Sequence, residues 1–120
     1  MSDYQLGAVE SRFAALIWEN APVSSGNLVA LAQAQLGWKK STTYTVLKRL
    51  CEKGIFENSG GTVTVCMSRE EFYARKSESF VQESFGGSLP AFLAAFTARK
   101  QLTPEEVAQL REMVSRYGEG

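Results

Sequence analysis

Between Lys39 and Gly54 the chain carries five cations, Lys39, Lys40, Lys48, Arg49 and Lys53, against a single acid, Glu52. Ser41, Thr42 and Thr45 stand among them. Short hydroxyls framed by long cations suit recognition rather than reaction, because hydroxyls exchange hydrogen bonds with base edges while cations meet phosphates. Elsewhere the chain has no such bias: thirteen basic residues balance thirteen acidic ones overall, so the positive patch is a local feature. An ordinary solvated helix face can look the same, and the neighbouring elements decide between the two readings.

Catalysis has little to build on. There is no histidine, which removes the commonest general base and the commonest metal ligand. Cys51 and Cys66 show no ligand spacing and are too few for a disulfide framework, so they read as structural thiols. Gly60-Gly61 and Gly86-Gly87 match no phosphate loop. No catalytic residue, cofactor or metal site is expected. No apolar run approaches the roughly 18–20 residues needed to span a bilayer, and no signal pattern is visible at the N-terminus. The expectation is a cytoplasmic protein with reduced thiols and no membrane insertion. A length of 120 residues holds one domain, or one domain and a small appendage. The 44% apolar and 22% charged content is globular and argues against wholesale disorder.

The elements that must hold the patch follow from periodicity. Leu6, Val9, Phe13, Leu16 and Ile17 recur at helical spacing and predict a first helix from about Gly7 to Glu19, with Glu10 in its first turn. Ala21-Pro22 ends it. Ser24 or Ser25 caps a second helix that runs to about Gln35 through Leu28, Leu31 and Ala32, and Gly37 stops it. The third helix runs from about Lys40 to Lys53 and carries the patch. At about 100° per residue, with Leu47 at zero, Tyr44, Leu50 and Cys51 lie within about 60° of the apolar direction. Ser41, Thr42, Thr45, Lys48, Arg49 and Glu52 fill an opposite arc of roughly 120°. The period then changes to two. Ile55–Asn58 and Thr62–Met67 read as strands joined by Ser59-Gly60-Gly61. Three helices and a hairpin in this order predict a winged helix-turn-helix, whose third helix enters the major groove. The wing tip, Ser59 to Thr62, has no Arg or Lys and reads as a turn.

Ser68-Arg69-Glu70-Glu71 is a capping box that opens a fourth helix, carrying Phe72, Tyr73, Phe80 and Val81 to about Ser84. After Gly86-Gly87 a fifth helix presents Leu89, Phe92, Leu93 and Phe96. Thr103-Pro104-Glu105-Glu106 opens a sixth with Val107, Leu110, Val114 and Tyr117 on one stripe. Seven of the thirteen aromatic residues lie after Met67, more than three short helices can bury alone. The expected architecture is therefore mostly α with a small β hairpin. A winged DNA-binding domain spans 1–67, and a three-helix dimerisation domain spans 68–120. Phe72, Phe80, Phe92, Phe96, Val107, Leu110 and Val114 are expected in the homodimer interface, and Trp18 and Trp38 in core or hinge packing.

Leu6 to Trp18 (LGAVESRFAALIW), Trp38 to Gly54 (WKKSTTYTVLKRLCEKG) and the pattern from Lys76 through Phe80 to Leu102-Thr103 resemble the penicillinase-repressor family, BlaI/MecI, with CopY-type copper repressors as relatives. The resemblance covers residues 4–117. It implies a homodimeric repressor that binds a palindromic double-stranded DNA operator in front of β-lactam resistance genes. Lys39 and Lys40 stand where the family has Ser-Pro; Lys40, Ser41, Thr42, Thr45, Lys48 and Arg49 fall on the family's recognition helix. The family's antibiotic-responsive branch is relieved by a protease that cuts the C-terminal domain at an Asn-Phe bond. Aligned through Leu102-Thr103, that bond becomes Ala95-Phe96, with Ala in place of Asn. The copper branch has a cysteine-rich tail; here the chain ends Tyr117-Gly118-Glu119-Gly120, so copper sensing is not expected. Two other readings fit the same elements: a PadR-type regulator answering to a small molecule, and a winged-helix protein-interaction module that does not touch DNA.

Overall fold

A computed structural model describes residues 6–118. The outermost residues of the two expected domains, 1–5 and 119–120, lie outside the described residues. Helix α1 (Ala8–Asn20) buries Phe13, Ala14, Leu16 and Ile17, while Val9 stays outside the core. It ends where the Ala21 N–H donates to Ile17 O at 2.8 Å, directly before Pro22. Strand β1 (Val23–Ser24) follows, and periodicity missed it, because two residues display no period. Ser24 also caps α2 (Ser25–Leu36), its Oγ accepting from the Asn27 N–H at 3.0 Å. Gly37, at φ 70°, supplies the left-handed turn that closes α2. Helix α3 (Lys40–Glu52) then leads through Gly54 into the hairpin of β2 (Phe56–Ser59) and β3 (Thr62–Val65).

The sheet is antiparallel in the order β1-β3-β2, with Val23 opposite Val63 and Phe56 opposite Val65. Ile55 lies outside β2: its N–H donates to Leu50 O, and its carbonyl accepts from both Cys66 and Met67 N–H groups. That double acceptance ends the ladder at Val65, two residues short of the expected strand end. The hairpin thus supplies two strands of a three-stranded sheet, with β3 in the middle, rather than a free ribbon.

Helix α4 (Arg69–Phe85) begins at the expected capping box, with the Glu71 N–H donating to Ser68 Oγ at 3.1 Å. The chain nevertheless divides into compact units further on, between Ser79 and Phe80. The cause is Phe72. It is fully buried in the winged unit's core with Phe13, Ile17, Leu28, Leu50, Ile55, Phe56 and Val63, so it leaves the expected dimer surface. Trp18 packs within the same unit. Its ring packs on Phe56, Phe72 and Tyr73 at centroid distances of 5.4, 5.5 and 6.1 Å, and its Nε1–H donates to Met67 O at 3.0 Å. Trp38 packs on Phe13 at 4.9 Å.

The second unit, from Phe80, holds the end of α4 with α5 (Leu89–Arg99) and α6 (Pro104–Tyr117). The Thr103 capping box is closed in both directions. Phe80, Phe85, Phe92 and Phe96 form a chain of ring contacts 5.6–6.1 Å apart. Neither α5 nor α6 has a buried residue. Phe80, Phe96 and Val114 are exposed, and Phe92, Val107 and Leu110 are half-buried. A groove of about 270 Å³ between α5 and α6 is lined by Phe92, Leu93, Phe96, Leu102, Leu110 and Met113.

Removing the Phe72 ring should destabilise the winged unit although Phe72 follows the expected boundary. Phe72→Ala is expected to cost about 3–5 kcal/mol in urea unfolding followed by tryptophan fluorescence, since both tryptophans report this unit. Phe80→Ala should leave that transition in place.

Candidate nucleic-acid interface

The face that α3 buries determines the face it offers. Thr43, Val46, Leu47 and Leu50 are buried, which places the centre of burial about 50° away from Leu47, on the side away from Tyr44 and Cys51. Thr43 is the member that a hydropathy pattern cannot supply. Its Oγ1 donates to Lys39 O at 3.1 Å, so the hydroxyl is satisfied within the helix and its methyl can pack. Tyr44 and Cys51, expected on the apolar side, are half-buried at its flank. The Tyr44 hydroxyl and Ser25 Oγ are hydrogen-bonded at 3.1 Å, tying α3 to the start of α2.

The outward arc turns with the core. Ser41, Thr45, Lys48 and Glu52 lie within about 30° of its centre, and all are exposed. Thr45 Oγ1 donates to Ser41 O at 2.9 Å. Its proton is engaged while its lone pairs remain available, so in this rotamer it presents an acceptor, suited to the amino groups of adenine or cytosine. Lys39 and Lys40 are exposed at the start of α3, where no side chain caps the first turn. Thr42 and Arg49 are exposed too, but sit about 70–90° from the arc's centre, toward α1.

Arg49, expected on the exposed arc, is exposed and also makes a tertiary contact. Its Nη1 pairs with Glu10 Oε2 at 3.1 Å. The other oxygen, Glu10 Oε1, accepts from the Gly7 N–H at 3.2 Å. One carboxylate therefore caps α1 and holds α3. Burial pushes the Glu10 carboxyl up, but the Gly7 N–H and the Arg49 guanidinium, with Lys53 nearby, bring it below its ordinary 4.5. Only the first-turn position of Glu10 was legible in sequence; a partner 39 residues away was not.

The wing is held to the same frame. The Ser25 N–H donates to Gly61 O at 2.7 Å, and Gly60 and Gly61 turn at φ 59° and 85°, where a side chain would be strained. Asn58, which no sequence pattern singled out, is exposed on β2 and lines a groove of about 370 Å³ with Tyr44, Leu47, Lys48 and Cys51. Burial raises the Cys51 thiol above its ordinary 9.0 despite a lowering contact from the Asn58 backbone, which keeps it protonated and suits a structural role. Among the described residues no three His, Cys, Asp or Glu side chains gather to hold a metal ion, and no helix is long and apolar enough to cross a membrane.

The family model described as penicillinase repressor matches residues 6–116. The chain belongs to the penicillinase repressor family. The methicillin resistance regulatory protein MecI of Staphylococcus aureus is 20% identical over 117 residues, covering 94% of this chain and 95% of the relative. The penicillinase repressor of Bacillus licheniformis is 23% identical over 117 residues, covering 94% of this chain and 91% of the relative. As a member of this family the chain is a DNA-binding transcriptional repressor and not an enzyme.

The lowered Glu10 value gives this penicillinase-repressor family member a pH signature. A carboxylate whose folded value is depressed contributes stability above its unfolded value and loses it as the pH falls through the folded one. Melting of the winged unit should therefore fall between about pH 5 and pH 3 less steeply in Glu10→Gln than in the unmodified chain. Parallel profiles would remove the pair from the stability of this unit.

Proposed function

We propose that the chain is a homodimeric repressor of resistance genes that binds a palindromic operator through the outward arc of α3. The observation carrying this reading is that arc itself: Ser41, Thr45 and Lys48 at its centre, with Lys39, Lys40 and Thr42 around them, all exposed on the helix that a winged fold inserts into the major groove. Ser41 and Thr45 read base edges, Lys39, Lys40 and Lys48 meet phosphates, and Thr42 lies at the flank. Arg49 takes part from the flank of the arc. Winged domain and helical domain divide the work, the first reading DNA and the second pairing two chains.

Dimerisation is supported by what the helical unit lacks. Two helices with no buried residue and an open apolar groove leave Phe80, Phe92, Phe96, Val107, Leu110 and Val114 to be covered by a second copy. Twofold symmetry then matches two half-sites. Control follows from the same linkage: a protease that cuts the helical unit separates the two readers. The bond aligned with the family's cleavage position, Ala95-Phe96, lies inside α5 with both residues exposed. The Phe96 carbonyl accepts from the Lys100 N–H, so cleavage there requires α5 to open locally.

Anisotropy titration of a random duplex between about 50 and 200 mM salt tests the DNA reading, which predicts a steep loss of affinity. Lys48→Ala should weaken binding to every duplex and reduce the salt slope by about one. A flat salt response would favour a protein-interaction module instead. A chain ending at Ala95 should sediment as a monomer and lose about 10²–10⁴ in operator affinity, because the second half-site no longer benefits from linkage. A monomeric full chain at tens of micromolar would overturn the dimer.

A further inference from the structure

We propose that Glu10 is a specificity-determining residue that holds Arg49 in reserve, so that the guanidinium engages DNA only where leaving Glu10 is compensated. The inference rests on the DNA-binding reading above and concerns a residue of α1, outside the helix that reads. Arg49 lies on the α1-facing flank of α3, about 70° from the centre of the outward arc. Its Nη1 is 3.1 Å from Glu10 Oε2. Glu10 is itself fixed, since its second oxygen accepts the Gly7 N–H, and it is the more enclosed partner: its side chain is 24% exposed against 53% for Arg49. The carboxylate is therefore the anchored member of the pair and the guanidinium the one free to leave.

A long cation held this way competes between two anions. A phosphate met at random only exchanges one anionic partner of Arg49 for another, and it leaves Glu10 as an unpaired negative charge beside the approaching backbone. A guanine edge in register offers a bidentate acceptor, which a single Nη1–Oε2 contact does not match. The pair thus depresses binding to arbitrary sequence more than binding to a matched site.

The test compares the full chain with Glu10→Gln, Arg49→Ala and the double variant. Two probes are used: a random 30-base-pair duplex, and a duplex selected by the unmodified chain from a randomised pool. Glu10→Gln should bind the random duplex about two- to fivefold more tightly, the range of a half-exposed ion pair released. Its salt slope should be steeper by about one. The selected duplex should gain less, so discrimination falls. In the Arg49→Ala background the same change should give a smaller gain. Thermal melting of each variant at neutral pH confirms that all are folded. Random-duplex affinity that is unchanged or weaker in Glu10→Gln would overturn the proposal, as would an equal gain in the Arg49→Ala background or an equal gain on both duplexes. If the unmodified chain binds neither duplex, it is the DNA reading that has failed.

Discussion

Burial of one side of α3 governs most of what this protein presents to a partner. Four residues, Thr43, Val46, Leu47 and Leu50, are removed from water against the core built by α1, α2 and the hairpin. A helix is rigid about its axis, so fixing those four fixes every other side chain on it. Ser41, Thr45, Lys48 and Glu52 are then outward by geometry, and Tyr44 and Arg49 are lateral. The flanking contacts follow from the same rotation: Tyr44 turns toward Ser25, and Arg49 turns toward Glu10. Had Tyr44 and Cys51 been in the core, as hydropathy suggests, Arg49 would stand well inside the outward arc and Glu10 would have no partner on α3.

The two units solve the burial problem differently. The winged unit closes its core within one chain and recruits Phe72 from α4 to do so. The helical unit does not close. Its aromatic rings touch one another in sequence, yet neither α5 nor α6 buries a residue. The winged unit can therefore stay folded on its own core, whereas the helical unit leaves its apolar side chains uncovered. In the function we propose, that separation lets a change far from α3 alter occupancy of an operator.

Much of this was legible in the sequence. Helix positions, the Ser68 and Thr103 capping boxes, the left-handed stop at Gly37 and the hairpin turn all follow from local chemistry, which short-range pattern captures. The misses have a common origin in tertiary contacts. Strand β1 is two residues long and exists only because Val23 lies opposite Val63. The rotation of α3 depends on a threonine whose hydroxyl is satisfied by its own helix. Phe72 follows a secondary-structure boundary but packs across it. Glu10 and Arg49 are each plausible surface residues, and nothing local pairs them. In the candidate interface, periodicity placed the helix and the residues it leaves exposed, while the contact of Arg49 and the exposure of Asn58 on the wing required the fold.

We propose that the outward arc of α3 is the surface that meets DNA. Amide chemical-shift mapping of the full chain during titration with a selected duplex tests it most directly. The largest changes are expected on Lys39 to Ser41, Thr45, Lys48 and Arg49, with smaller ones at Asn58 and the Gly60-Gly61 turn. Changes concentrated on α5 and α6 with α3 unmoved would contradict it.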